Sequence, residues 1–246
     1  MSENISAPSR DFSKLFMPGA IIVAGAIIGV SIIVALGGYA PANGGDTGGS
    51  EAPISVDIDD VDTDSDPYIG NKNAPVVLAY WYDYQCPFCK AVDVGHPEID
   101  VEAALPILKR DYVETGKLKI VFKDYAFLGP DSTTGALYAN AVWDLYPSKF
   151  YEWHEAMFEA QDEEHGGFGD EASIVQLTRS IAGIDADAVK ARVAAKSSEY
   201  QAEIDADQAE GSRFGVNGTP GFITGKKLIG GAVDPGQFIS AIEEQL

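Results

Sequence analysis

Cys86 and Cys89 are the only cysteines in the 246-residue chain, and only Pro87 and Phe88 separate them. A pair at this spacing has three chemistries open to it. As a structural disulfide it would contribute little, because stabilisation grows with the length of the closed loop and this loop is very short. As half of a zinc site it lacks the other half: there is no second Cys-x-x-Cys, and His96, His154 and His165 show no Cys/His finger spacing. A redox dithiol needs nothing beyond what is present, and that reading is preferred. If a helix begins at the motif, Cys86 lies at its N-terminus, where free amides and the helix dipole favour a thiolate. Cys86 is then the exposed sulfur that exchanges with substrate, and Cys89, one turn on, is the shielded resolving thiol. Pro87 suits the first helical turn because it has no N–H to leave unpaired. Phe88 adds no charge beside the sulfur.

The elements that must position this pair are legible on both sides of it. Val76 to Tyr82 is an apolar and aromatic run that reads as a buried strand ending just before the motif. A helical region is expected from the motif to about Glu114, restarted at Pro97 and kinked at Pro106. Lys117 to Tyr125 alternates as a second strand, and Asp131 to Ala195 reads as mainly helical. The stripes Ala136, Ala139, Trp143 and Phe150, Trp153, Met157 fit helix faces packed into a core. A separate helix is expected over Ser197 to Phe214, then strands at Gly221 to Thr224 and Lys227 to Ile229, and a last helix from Pro235 to Leu246.

The N-terminal quarter is of another kind. Residues 1–14 are short and polar, and residues 15–38 contain the twenty uncharged residues Met17 to Leu36, enough to span a bilayer as a helix. A cleaved signal peptide is the rival, with Ala40-Pro41-Ala42 as its small-x-small triplet. The uncleaved anchor is favoured because the apolar run is long for a signal and the triplet carries a proline. Arg10 and Lys14 precede the run and only acids follow soon after it, which keeps the N-terminus cytoplasmic. Residues 39–67 form a Gly-rich linker whose acids, from Asp46 to Asp66, carry no base among them, so it reads as a solvated, extended tether. A calcium loop over Asp57 to Asp66 lacks the glycine and terminal glutamate that an EF-hand needs. The chain has a formal net charge of −21, which argues against nucleic acid and anionic lipid surfaces as partners. Residues 68–246 suit one compact domain.

Three segments in this domain resemble those of DsbA-like thiol-disulfide oxidoreductases of the thioredoxin superfamily. They are Trp81 to Lys90, containing Cys86-Pro87-Phe88-Cys89; Lys149 to Phe158 (KFYEWHEAMF); and Phe214 to Ile223, with Gly215-Val216-Asn217-Gly218-Thr219-Pro220. The resemblance implies an α/β thioredoxin-like fold with a helical insertion at about 130–196. It also implies a cis Thr219–Pro220 bond beside Cys86, with the Thr219 backbone free to pair with an extended substrate. The implied site is therefore Cys86, Cys89, Pro87, Phe88, Thr219 and Pro220, with no cofactor and no metal. The chain departs from its relatives at Tyr80, where many of them carry an acid six residues before the first cysteine. Asp83 is nearer in sequence, but its role as a base is left open. His96 is read as a loop histidine, and His154 as packing or capping within the insertion. The expected activity is exchange of the Cys86–Cys89 disulfide with cysteines of exported proteins outside the cytoplasm, as an oxidase renewed by a membrane redox partner. A stray third thiol would compete with the pair, and none is present. A reductase or isomerase using the same residues, or a non-catalytic thioredoxin-like binding module, are the alternatives.

Overall fold

A computed structural model describes residues 55–163 and 166–246. The expected membrane segment, and His165, lie outside the described residues. Among those described, no helix is long and apolar enough to cross a membrane.

The elements run β1 (Tyr68–Gly70), β2 (Val76–Tyr82), α1 (Pro87–Asp93), α2 (Ala104–Leu108), β3 (Leu118–Asp124), α3 (Pro130–Leu145), α4 (Phe150–Ala160), α5 (Glu171–Ser180), α6 (Ala186–Arg213), β4 (Gly221–Thr224), β5 (Lys227–Gly230) and α7 (Pro235–Glu243). The strands form one sheet in the order β1-β3-β2-β4-β5. β2 pairs parallel with β3 and antiparallel with β4, so both its edges are hydrogen-bonded. Being central and covered on both faces explains its nearly unbroken apolar sequence.

Alternation divides β2 between two cores. Leu78, Tyr80 and Tyr82 face a large cluster shared with Cys89, Leu105, Phe150, Phe158 and Phe238. Ala79 and Trp81 face a smaller one with Phe214 and Val216. On that side Trp81 Nε1 donates to the Asp207 carbonyl on α6 at 2.9 Å. Gly211, one turn further along α6, lies so close that an added Cβ would stand 2.8 Å from the Trp81 indole nitrogen.

The sequence-based outline differs from the structure in four places. The helix expected after the motif to Glu114 stops at Asp93; an irregular stretch intervenes before α2, which widens into a π-helical turn over Lys109–Val113. An additional strand, β1, precedes the first expected one and pairs antiparallel with β3. The expected break between Ala195 and Ser197 is absent, since α6 runs unbroken for 28 residues. The insertion boundary at about 196 therefore falls inside a helix that belongs equally to the sheet's outer face.

The fourth difference concerns the acidic segment, whose C-terminal part is docked on the domain instead of solvated. Ile58 N donates to the Gly225 carbonyl at 2.8 Å and Asp62 N to Glu210 Oε1 at 2.9 Å. Val61 is buried among Trp81 and Phe214. Lys119 Nζ donates to the Thr63 carbonyl. The buried Lys123 ammonium binds Asp66, Asp207 and Glu210. Asp66 thus finds a long-range donor that local composition does not reveal, while Asp59, Asp60, Asp62 and Asp64 stay exposed as expected.

One ammonium cannot neutralise three carboxylates. The Asp207 carboxyl is pushed up to about 8, first by burial and then by Asp66, against the pull of Lys123. Its folded value thus lies above the unfolded one, so the stabilisation is fully present below the unfolded carboxyl range. It is lost as pH rises through about 8. Melting temperature is expected to rise as pH is lowered from 8 to 5, and Asp207→Asn should flatten that slope. Gly211→Ala should lower the melting temperature by several degrees, because overpacking of this kind costs about 1–3 kcal/mol. Thermal melts across pH check both.

Candidate active site

The motif sits where β2 hands over to α1. Cys86 is the N-cap of α1, in an extended conformation, and Pro87 takes the first helical position. The Cys86 carbonyl begins the helix by accepting from Cys89 N and Lys90 N, so the turn fixes both sulfurs on one side of the helix start.

The two thiols have unlike surroundings. Cys86 is 4% exposed and Cys89 is fully buried, while Phe88 between them is 50% exposed. The expectation of an open Cys86 needs correction: only an edge of the residue meets solvent, because the Thr219–Pro220 loop covers it. Cys86 Sγ lies 3.3 Å from the Thr219 carbonyl oxygen. Its pKa is lowered to about 7. The chief cause is a hydrogen bond from the Cys89 thiol, with further donation from the Thr219 hydroxyl and the Cys89 and Phe88 amides; burial opposes the shift. The Thr219 Oγ1 is buried and otherwise without a partner. Cys89 moves the other way: burial first, and then the neighbouring Cys86 sulfur, push its thiol well above the ordinary range.

The Thr219–Pro220 peptide is cis, as the resemblance implies. Gly231 N donates to the Pro220 carbonyl at 2.8 Å, tying the loop to the strand that follows. Thr219 N has no acceptor among the described residues, and its carbonyl accepts only from Cys86. The structure thus brings Cys86, Cys89 and Thr219 together, with Pro87 shaping the helix start and Pro220 the loop.

Three residues that hold the motif carry no sequence signal of that role. Asp83 is buried, and its carboxylate accepts from Gln85 N at 2.8 Å and from Phe127 N and Leu128 N at 3.0 and 3.1 Å. It therefore clamps two loops together, and those bonds occupy it as an acceptor. Gln161, just past α4, donates through Nε2 to the Tyr84 carbonyl at 2.6 Å and the Cys86 carbonyl at 3.1 Å. Gln85 Nε2 donates to the Phe168 carbonyl. Apart from the local Asp83–Gln85 bond, only fold-level proximity joins these groups, which are separated by 44 to 83 residues in sequence.

Two histidine assignments have different outcomes. His96 accepts from Glu98 N within its own loop. His154 does not stay within the insertion: it reaches Tyr84 Oη through Nδ1 and Asp93 Oδ1 through Nε2, each at 2.9 Å. Tyr80, at the position where the resemblance leads to an acid, donates its hydroxyl to Asp93 Oδ2 at 2.6 Å. No cluster of His, Cys, Asp and Glu suited to a metal ion occurs among the described residues.

Comparison with known proteins agrees with this geometry. A family model described as Thioredoxin matches residues 62–244. Disulfide bond formation protein D of Bacillus subtilis is 27% identical over 180 residues, covering 73% of this chain and 77% of that protein. The crystal structure of oxidised BdbD from Bacillus subtilis superposes with a TM-score of 0.66 at 23% identity, over 78% of this chain and 97% of that one. The thiol-disulfide exchange protein alpha-DsbA2 from Wolbachia pipientis gives a TM-score of 0.62 at 28% identity, over 74% and 88% of the two chains. The chain belongs to the thioredoxin family, as a DsbA-like dithiol–disulfide oxidoreductase.

Proposed function

We propose that this protein donates the Cys86–Cys89 disulfide to cysteines of exported proteins, from a domain held outside the cytoplasm by the apolar segment at 15–38. The observation that carries the reading is the split between the two thiols, one lowered to about 7 and the other raised by burial. A substrate thiolate attacks Cys86 Sγ and Cys89 leaves. A second substrate thiolate then attacks the substrate sulfur, and Cys86 leaves as the better-stabilised thiolate. Because the Cys86 thiolate is stabilised, the reduced enzyme is favoured and the disulfide is the more oxidising. This advantage is present above the ordinary thiol range and is lost as pH falls through about 7.

The surroundings suit an extended polypeptide. Phe88 is 50% exposed and Phe127, in the loop clamped by Asp83, is 47% exposed. These rings offer apolar contact to an unfolded chain, while the Thr219 N–H, unpaired among the described residues, and its C=O, which accepts only from Cys86, offer backbone pairing of the kind a strand makes. Relatives named for disulfide bond formation support the oxidising direction, as does an N-terminal segment of bilayer-spanning length. A membrane redox partner would then restore the disulfide.

One observation favours the alternative. A value of about 7 for Cys86 matches the roughly 7 typical of thioredoxin more than the roughly 3.5 of the strongest oxidants. Equilibration of the full-length protein with glutathione buffers decides the direction. A potential near about −120 mV supports donation, and one near about −270 mV makes the protein a reductase. In the reduced protein, iodoacetamide should modify Cys86 with a midpoint near pH 7 and leave Cys89 unmodified. Cys86→Ser should abolish exchange with a dithiol peptide; retention of exchange would remove Cys86 from the mechanism.

A further inference from the structure

Exchange at Cys86, in either direction, requires its sulfur to change partners while its backbone stays in place. Cys86 stands in an extended conformation, φ −79° and ψ 118°, immediately before α1. Its Sγ lies 3.3 Å from the Thr219 carbonyl oxygen, and only 4% of the residue is exposed. A sulfur with so little solvent contact has a narrow approach. A small rotation of the backbone that carries it would take it out of line with an incoming thiolate, and misplacement on that scale costs rate.

One side chain holds the backbone on both sides of Cys86. Gln161 is the C-cap of α4 and is buried. Its Nε2 donates to the Tyr84 carbonyl at 2.6 Å and to the Cys86 carbonyl at 3.1 Å. Carbonyls only accept, so both hydrogens of the amide are spent here, one on each. Peptide units are planar. The two held carbonyls therefore bracket the Gln85 and Cys86 torsions and set the direction in which the Cys86 side chain leaves the backbone. The grip is braced from α4 and from α1. The Tyr84 ring packs against Trp153 and Phe158 of α4, and Lys90 Nζ of α1 donates to the Gln161 carbonyl at 2.6 Å. The Cys86 carbonyl already receives Cys89 N at 3.1 Å and Lys90 N at 3.2 Å, one for each lone pair. A third donor is surplus to hydrogen-bond satisfaction there, and what it adds is position.

We propose that Gln161 is a positioning residue of the reaction: by holding the Tyr84 and Cys86 carbonyls with one amide, it fixes the Cys86 sulfur at its place beneath the Thr219 loop, where it is both attacked and released. The role presupposes exchange at Cys86–Cys89 but not its direction. Gln161 acts through the backbone and carries no proton or electron. In disulfide donation a substrate thiolate bonds to Cys86 Sγ as the Cys86–Cys89 bond breaks. A second substrate thiolate then bonds to the substrate sulfur, and Cys86 departs with the electron pair. The two electrons lost by the substrate dithiol are those gained by the enzyme's pair. Gln161 keeps Sγ in line during the attack and keeps the departing thiolate among the groups that stabilise it. In the reverse direction the same hold presents Cys86 as the attacking thiolate. A residue of α4 thereby sets the reactivity of a sulfur at the start of α1.

The test separates positioning from stability. Reduced full-length protein is titrated with iodoacetamide for the pH midpoint of Cys86, and is equilibrated with glutathione buffers at about pH 9, above the Cys86 midpoint, for its potential. In Gln161→Leu, which fills the space without donating, the midpoint should rise from near 7 by about one unit, part of the way to the roughly 8.5 of a free cysteine. At the higher pH that is about a tenfold loss of thiolate stabilisation, which makes the potential about 30 mV more negative. Gln161→Glu keeps the shape but can make at most one of the two bonds in either protonation state, so both readouts should move the same way. Gly211→Ala weakens the fold from the other side of the sheet, and there both readouts should keep their wild-type values. In the wild type, the side-chain amide protons of Gln161 should shift in NMR spectra at the Cys86 midpoint. Wild-type midpoint and potential in either folded Gln161 variant would overturn the proposal, as would an equal shift in Gly211→Ala. Amide protons that do not follow Cys86 would overturn it even where neither variant folds. Failure of wild-type Cys86 to exchange with glutathione at all would instead overturn the exchange reading itself.

Discussion

The structure depends on one difference in solvation. Two chemically identical thiols stand a helical turn apart, and the fold gives the first a set of hydrogen-bond donors and the second an apolar wall. Cys86 caps the start of α1, where amides point at its sulfur. Cys89 faces the core beside Tyr80 and Val92. Because desolvation disfavours the charged form, depth alone separates their affinities for a proton, and the neighbouring hydrogen bonds widen the gap. Exchange at one sulfur and resolution at the other follow from that separation.

Keeping the gap requires that the motif not move. The N-terminus of a seven-residue helix would fray if left alone. It is pinned from behind by Gln161, which holds the carbonyls of Tyr84 and Cys86, and by Asp83, which gathers three amides from two loops. From the front, the Thr219 loop closes over Cys86 and is tied back through Pro220 to Gly231. The same contacts that hold Cys86 also hide most of it, so a substrate must approach along the Thr219 backbone and past Phe88.

The opposite face of the sheet meets a different problem. Lys123, Asp66, Asp207 and Glu210 bury more negative than positive charge against α6. A buried ion cluster is weak evidence of stability, since desolvation offsets much of the attraction. What it does specify is where the acidic segment enters the domain, because Asp66 and the Asp62 and Thr63 carbonyls are the groups that Lys123 and Lys119 bind. The entry is fixed on the side of the sheet occupied by Trp81, across β2 from Tyr80 and the resolving cysteine.

Several of these features were legible in the chain itself. The apolar and aromatic run of β2 reads as a buried strand from its residues alone. The lone Cys-x-x-Cys after it, with Pro87 in place for a first turn, indicated dithiol chemistry without any homologue. The stripes at Ala136, Ala139, Phe150, Trp153 and Met157 marked core faces because helical periodicity is a local property. What the sequence could not determine was any contact between distant segments. Asp83, whose role the sequence leaves open, is a clamp between two loops; His154 looked internal to the insertion and joins Asp93, 61 residues away. Tyr80, where the resemblance leads to an acid, is itself hydrogen-bonded to Asp93 on α1. Docking of the acidic segment was hidden for the same reason, since a run of carboxylates looks solvated until the fold supplies a buried lysine. Periodicity and turn chemistry are written in neighbouring residues, whereas burial and hydrogen-bond partners are decided only when the sheet brings its elements together.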